Sequence, residues 1–163
     1  MTKLRVGFGF DVHQLKERHP FILGGVDLAH HAGAFGHSDA DVLVHAICDA
    51  LLGAANLRDI GFHFSNKDEK WKGISSLILL RHVLELLKDK GWEINNIDAM
   101  VCLEAPKINP HIPAMKANIA AAAGISEDDI SIKATTNEQL GFIGREEGVV
   151  AYAVCLIEKS ESR

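Results

Sequence analysis

From Val6 to His13 large apolar residues alternate with small or polar ones. Val6, Phe8, Phe10 and Val12 fall on one face, and Gly7, Gly9, Asp11 and His13 on the other. Period-two alternation predicts a strand, over residues 4–13, whose two faces meet different surroundings. The Val-Phe-Phe-Val face is expected to build core, and the Gly-Gly-Asp-His face to open onto a site. FILGGVDL, 21–28, places Gly24-Gly25 between short apolar runs and predicts a hairpin. A Gly- and His-rich loop, HHAGAFGHSD, follows. Ser38-Asp39-Ala40-Asp41 fits a Ser-x-x-Asp cap and predicts a helix from about Asp39 to Ala55. At helical spacing Leu43, Ile47, Ala50 and Ala54 share one side, while Asp41, His45 and Asp49 line the opposite one.

Residues 56–73 lose this periodicity and read as a long loop, of the sort that often serves as a lid. Ser75 is expected to cap a helix over 76–89, with Leu77, Leu80, Leu84 and Leu87 as its stripe and Gly91 as its stop. IDAMVCLEA, 97–105, predicts a strand, and the prolines of PKINPHIP interrupt the chain before a helix over 112–123 that ends at Gly124. ISIKATT, 130–136, and GVVAYAVCLIE, 148–158, predict two more strands. The expected fold is α+β: a mixed four-stranded sheet with helices on one face, plus a small hairpin. The late strands are apolar on both sides, so self-association is expected to cover the other face.

Composition narrows the class. With 163 residues, 47% of them hydrophobic and 24% charged, the chain is expected to form a single domain, 1–163. A net charge of −5 without a basic stripe argues against nucleic-acid binding. No apolar run approaches the ~18 residues of a membrane span. A strand pattern that begins within five residues of Met1 predicts no secretory or transit peptide. Cys48, Cys102 and Cys155 are widely spaced within apolar segments, as buried free thiols of a reducing cytoplasm are.

Three polar concentrations carry candidate chemistry. Asp11 and His13, one residue apart on a strand, point the same way. With His45 they make two imidazoles and a carboxylate, a familiar catalytic zinc set with an open fourth position. Each also has a plainer reading, as a strand end at solvent and a solvated helix face. Asp41 and Asp49, one turn either side of His45, are expected to orient its imidazole. KATTNEQLGFIGREEG, 133–148, gathers Lys133, Thr135, Thr136, Glu138 and Arg145 among glycines. It reads either as a phosphate-holding segment with Glu138 on a hard cation or as a polar hairpin loop. APKINPHIP, 105–113, reads as a plain connection or as a proline-stiffened backbone able to recognise a flat base.

Taken together, GFGFDVH (7–13), HSDADVLVHAICDALLGAANLRDIG (37–61), APK (105–107) with PHIP (110–113), and KATTNEQLGFIGREEG (133–148) resemble one family, the 2-C-methyl-D-erythritol 2,4-cyclodiphosphate synthases of the non-mevalonate isoprenoid route. The resemblance implies an intramolecular phosphoryl transfer. The 2-phosphate of 4-diphosphocytidyl-2-C-methyl-D-erythritol 2-phosphate attacks the β-phosphorus, a cyclic diphosphate forms, and CMP leaves.

It also implies one zinc ion on Asp11, His13 and His45, and one magnesium or manganese ion held by Glu138, in each active site. The matching positions place His37 and Ser38 beside the 2-phosphate. They place Asp49, Asp59 and Gly61 at the erythritol end, with 62–73 as a lid. Ala105, Pro106, Lys107, Ile108, Ala134, Thr135 and Thr136 are implied to hold the cytidine and its phosphates. The family's homotrimer, with sites between subunits, implies trimeric packing of the sheets here. Phe10, Phe142 and Arg145 match positions beside an axial cavity that takes an isoprenoid diphosphate, although Tyr152 departs from the acidic residue some members carry. The implied location is the bacterial cytoplasm, or the plastid stroma for a processed form.

Without the resemblance, the residues would read as a metal-dependent phosphate-ester hydrolase using zinc-bound water. A further alternative is a non-catalytic, metal-stabilised trimer or isoprenoid-binding module.

Overall fold

The computed structural model describes residues 3–160. A five-stranded sheet carries the fold, with strand order β4-β1-β7-β5-β6. Its members are β1 (Leu4–Glu17), β4 (Ala32–Phe35), β5 (Trp92–Cys102), β6 (Ile130–Thr135) and β7 (Gly148–Lys159). The hairpin β2 (Ile22–Leu23) and β3 (Val26–Asp27) forms a separate two-stranded sheet. All neighbours are antiparallel except β5 and β6, which run parallel through a helical crossover. Helices α1 (Val42–Ala54), α3 (Ser76–Asp89) and α4 (Ile112–Ala123) complete the layer above the sheet, and α2 (Ile60–His63) and α5 (Gly141–Gly144) are single turns.

The expected four-stranded sheet is therefore too small by one strand. The end of β1 runs on to Glu17, and Gln14–Glu17 pair with Phe35–Ala32. A short Gly-Ala segment has no alternation to reveal it, and its strand character comes from the ladder. The loop expected over 56–73 contains α2 and a 3-10 turn at Glu69–Trp71. The helices over 76–89 and 112–123 form with the expected bounds and Gly124 left-handed at φ 67°, but the buried stripe of the first is Leu79, Leu80, Val83 and Leu87, with the expected Leu77 and Leu84 only half-buried at its edge.

Two expectations about faces are overturned. First, α1 begins at Val42 with Asp41, not Ser38, as its N-cap. It is buried almost all round, with only His45, Asp49 and Gly53 retaining exposure. Second, the Val-Phe-Phe-Val face of β1 does not enter the core. Val6 and Phe8 are 68% and 64% exposed, and Phe10, Val12, Tyr152 and Val154 extend the same open apolar surface.

The glycine face is the one that packs. A Cβ on Gly7 would lie 1.8 Å from the Ala50 carbonyl oxygen, and one on Gly9 would lie 1.9 Å from that of Ala46. Side chains are absent there because the α1 backbone lies directly on β1. Leu43, Ile47, Leu51, Leu80, Ile97, Ile119 and Ile157 fill the core between sheet and helices.

Candidate functional site

That close approach brings His45 down onto β1 next to Asp11 and His13. Asp11 Oδ2 lies 3.0 Å from His13 Nε2 and 3.0 Å from His45 Nδ1, and the two ring nitrogens are 3.3 Å apart. All three residues are half-buried. The opposite nitrogen of each ring is engaged. His13 Nδ1–H donates to the Phe35 carbonyl at 3.0 Å, so β4 fixes its tautomer and leaves Nε2 free to ligate.

His45 Nε2 lies 2.8 Å from Ser76 Oγ and 3.1 Å from Ser38 Oγ. Ser76 is fully buried, and its hydroxyl donates to Asp39 while its backbone N–H donates to the same carboxylate at 2.9 Å. The chain Asp39–Ser76–His45 therefore presents His45 Nδ1 to the site. Burial pushes the Asp11 carboxyl up, but the His13 and His45 hydrogen bonds and charges outweigh it and hold its pKa down to about 2. Burial opposes charge on His13, and Asp11 overrides it and raises its pKa. Three donor atoms converging from two imidazoles and a carboxylate, each ring locked from behind, fit a divalent zinc-type ion.

The expected orienting pair is corrected. Neither Asp41 nor Asp49 bonds His45. Asp41 is buried and accepts from Val44 N–H at 3.1 Å and Gly25 N–H at 2.7 Å, tying the hairpin turn to the start of α1. Burial raises its pKa to about 6. Asp49 accepts from Ile60 N–H at 2.7 Å and Asp59 from Phe62 N–H at 3.0 Å, so the two carboxylates fix α2 and Gly61 above the site. Asp39 and Ser76 were missed because their bond joins residues 37 apart.

A cavity of about 400 Å³ opens here, lined by His13, His37, Ser38, His45, Gly61, Phe64 and Trp71. His37 Nε2–H donates to the Asp68 carbonyl at 3.3 Å, and Gly73 N–H donates to the His37 carbonyl at 2.9 Å, so segment 62–73 rests on the loop that carries Ser38.

A second cavity, of about 100 Å³, is lined by Pro106, Lys107, Ile108, Ala134, Thr135 and Thr136, and Ala105 is not among its lining residues. Strand β6 ends there, and the parallel β5–β6 pairing aligns Cys102 with Thr135, bringing the two expected nucleotide segments together. Beyond it Glu138 accepts from the Thr136 hydroxyl at 2.9 Å on a turn with left-handed backbone. Lys133 is engaged elsewhere, with Asp98 at 2.5 Å. Phe142 is exposed, and Arg145 forms a two-point ion pair with Glu147 at 3.0 and 2.9 Å. No lining residue is common to the two cavities. Cys48, Cys102 and Cys155 are buried free thiols, with burial raising the Cys155 pKa to about 12.

The YgbB family model matches residues 4–158. The 2-C-methyl-D-erythritol 2,4-cyclodiphosphate synthase of Cytophaga hutchinsonii is 62% identical over 157 residues, covering 96% of this chain and 99% of that one. The synthase of Bacteroides thetaiotaomicron is 59% identical over the same length and coverage. Among solved structures, IspF of Plasmodium falciparum in complex with CDP superposes with a TM-score of 0.86 at 32% identity, covering 99% of both chains. The bifunctional IspDF of Campylobacter jejuni superposes at 0.95 with 39% identity, and this chain spans 44% of that longer protein.

Proposed function

The chain belongs to the YgbB family of 2-C-methyl-D-erythritol 2,4-cyclodiphosphate synthases, and from that premise we propose how its residues carry the reaction. It is an enzyme of isoprenoid biosynthesis that forms the 2,4-cyclodiphosphate. Its substrate is 4-diphosphocytidyl-2-C-methyl-D-erythritol 2-phosphate. An oxygen of the 2-phosphate attacks the β-phosphorus, the bond from that phosphorus to the α–β bridging oxygen breaks, and CMP leaves with the oxygen. No water enters the balance. The task for the protein is to hold two mutually repelling phosphates in line and to neutralise the leaving charge.

The observation that carries this reading is the convergence of Asp11, His13 and His45, with both rings locked from behind. When bound, zinc on these three residues and magnesium or manganese on Glu138 supply Lewis-acid neutralisation of the diphosphate. Glu138 offers one oxygen from an exposed turn, which suits a hard cation that takes its remaining ligands from phosphate and water. Ser38 and His37 face the 2-phosphate. Asp49 and Asp59 hold Gly61 against the erythritol hydroxyls, and closure of 62–73 excludes water that would otherwise compete as nucleophile. Lys107 and the Thr135 and Thr136 hydroxyls hold the cytidine phosphates, and the Ala105–Ile108 and Ala134 backbone reads the base.

The homotrimer is part of the proposal. Its support is the open apolar face of β1 and β7, and the lack of any lining residue common to the two cavities within one chain. A neighbour supplying the cytidine half completes each site. The face that sequence alone assigned to core then becomes core of the assembly, with Phe10 toward the axis. An isoprenoid diphosphate at that axis would need Arg145, which Glu147 already occupies.

The test is incubation with the cytidylyl substrate, zinc and magnesium. The expected result is one CMP per cyclic diphosphate, and none from a His45→Ala variant depleted of zinc. A linear product with stoichiometric CMP sinks the synthase reading in favour of a hydrolase.

A further inference from the structure

The Gly- and His-rich loop holds two histidines that the reaction leaves unused. Adjacent residues of an extended chain point to opposite faces. At His30 and His31 the backbone instead bends, and their ring centroids come within 4.1 Å with planes 55° apart. Ala29 just before them takes a left-handed conformation, φ 49°, and its N–H donates to Asp27 Oδ1 at 2.9 Å. Arg18 N–H donates to the His31 carbonyl at 3.0 Å, fastening the bend to the end of β1.

Facing them is Glu146, on the turn between α5 and β7. Its own backbone is left-handed, φ 58°, and its N–H donates to the Ile143 carbonyl at 2.9 Å. The next residue, Glu147, accepts from Leu15 N–H at 2.9 Å, pinning this turn to β1 as well. One ligand atom from each of His30, His31 and Glu146 lies within 4.8 Å of the others. The adjacent cation, Arg145, is turned to Glu147 and leaves the Glu146 carboxylate to the imidazoles.

From this geometry we propose that His30, His31 and Glu146 form a second transition-metal site, sharing no residue with the Asp11–His13–His45 centre. Two imidazoles and one carboxylate are a borderline donor set that suits Zn2+, Co2+ or Ni2+ over Mg2+ or Ca2+. An imidazole ligates as the neutral base, so proton release accompanies binding at acidic pH. Small rotamer changes bring the three atoms to coordination distance, and water fills the remaining positions. A bound ion would staple the β3–β4 loop to the α5–β7 turn.

The test titrates Zn2+ into the full chain by competition with a chromophoric chelator, in saturating Mg2+, for wild type and three variants. Wild type is expected to take two equivalents. His31→Asn and Glu146→Gln should each weaken one equivalent at least tenfold, while retaining the other and full turnover. His45→Ala should do the reverse, losing the first equivalent and keeping the one at His30–His31–Glu146. A wild-type stoichiometry of one, or two equivalents bound undiminished by both His31→Asn and Glu146→Gln, overturns the proposal.

Discussion

Replacing Gly9 with alanine tests whether the contact between β1 and α1 builds the metal centre. The new Cβ would lie 1.9 Å from the Ala46 carbonyl oxygen and 2.7 Å from the Ala50 nitrogen, both backbone atoms. Reaching an ordinary separation requires α1 to retreat by about 1.5 Å. It has nowhere to go, because Val44, Cys48 and Leu52 on its far side are fully buried. Overpacking of this sort costs ~1–3 kcal/mol, and the rigidity of the opposing atoms puts this site at the upper end. For a chain of this size, about 3 kcal/mol lowers Tm by roughly 6–12 °C.

The site suffers more than the fold. Residue 45 precedes the displaced carbonyl, and metal–ligand distances tolerate only ~0.2 Å. Zinc affinity should therefore fall at least tenfold, and turnover with it. Gly53→Ala on the same helix meets nothing within 4 Å and serves as control, with an expected gain of ~0.5–1 kcal/mol from helix propensity. Thermal melts by circular dichroism, zinc titration and CMP release read the three effects. A Gly9→Ala protein that melts within 2 °C of wild type, with zinc binding and rate unchanged, would refute the close-approach argument.

Other perturbations separate the remaining parts. Ser76→Ala removes the acceptor behind His45 Nε2 and should cut zinc affinity ~10–100-fold while the cavity lining stays in place; chelator competition measures it, and unchanged affinity would show that Ser38 alone suffices. Glu138→Gln should weaken the magnesium dependence of CMP release with zinc content near wild type, whereas parallel loss of both metals would point to unfolding. Asp41 holds its proton to about pH 6 when folded, against ~4 in the unfolded chain, so the folded state binds more protons between those values. Its contribution to stability is accordingly greatest below about pH 4 and declines as pH rises through 6. Urea melts across that range should show the decline in wild type and a flatter profile for Asp41→Asn; identical profiles would mean that Asp41 is ionised throughout.

The division between what was legible and what was not follows the range of the interactions. Local periodicity places the helices 76–89 and 112–123, the hairpin and the long strands, because propensity, stripe and glycine stop act within a few residues. It also makes Asp11 and His13 neighbours, and the motif order marks the family. Face assignment is another matter. Alternation on β1 says only that its two sides differ, and the ordinary rule sends Phe8 inward. The structure sends it outward, because the glycines are what a helix backbone can lie against.

The same limit hides β4, whose strand character is conferred by pairing with β1, and the Asp39–Ser76–His45 chain, which closes only when α3 docks beside α1. The sequence by itself determined the long helices and strands, the hairpin, the donor types and the chemistry they permit. Which donors meet, which nitrogen each imidazole presents, and which apolar surface is left open were decided by tertiary packing, since each depends on residues brought together across tens of positions of chain.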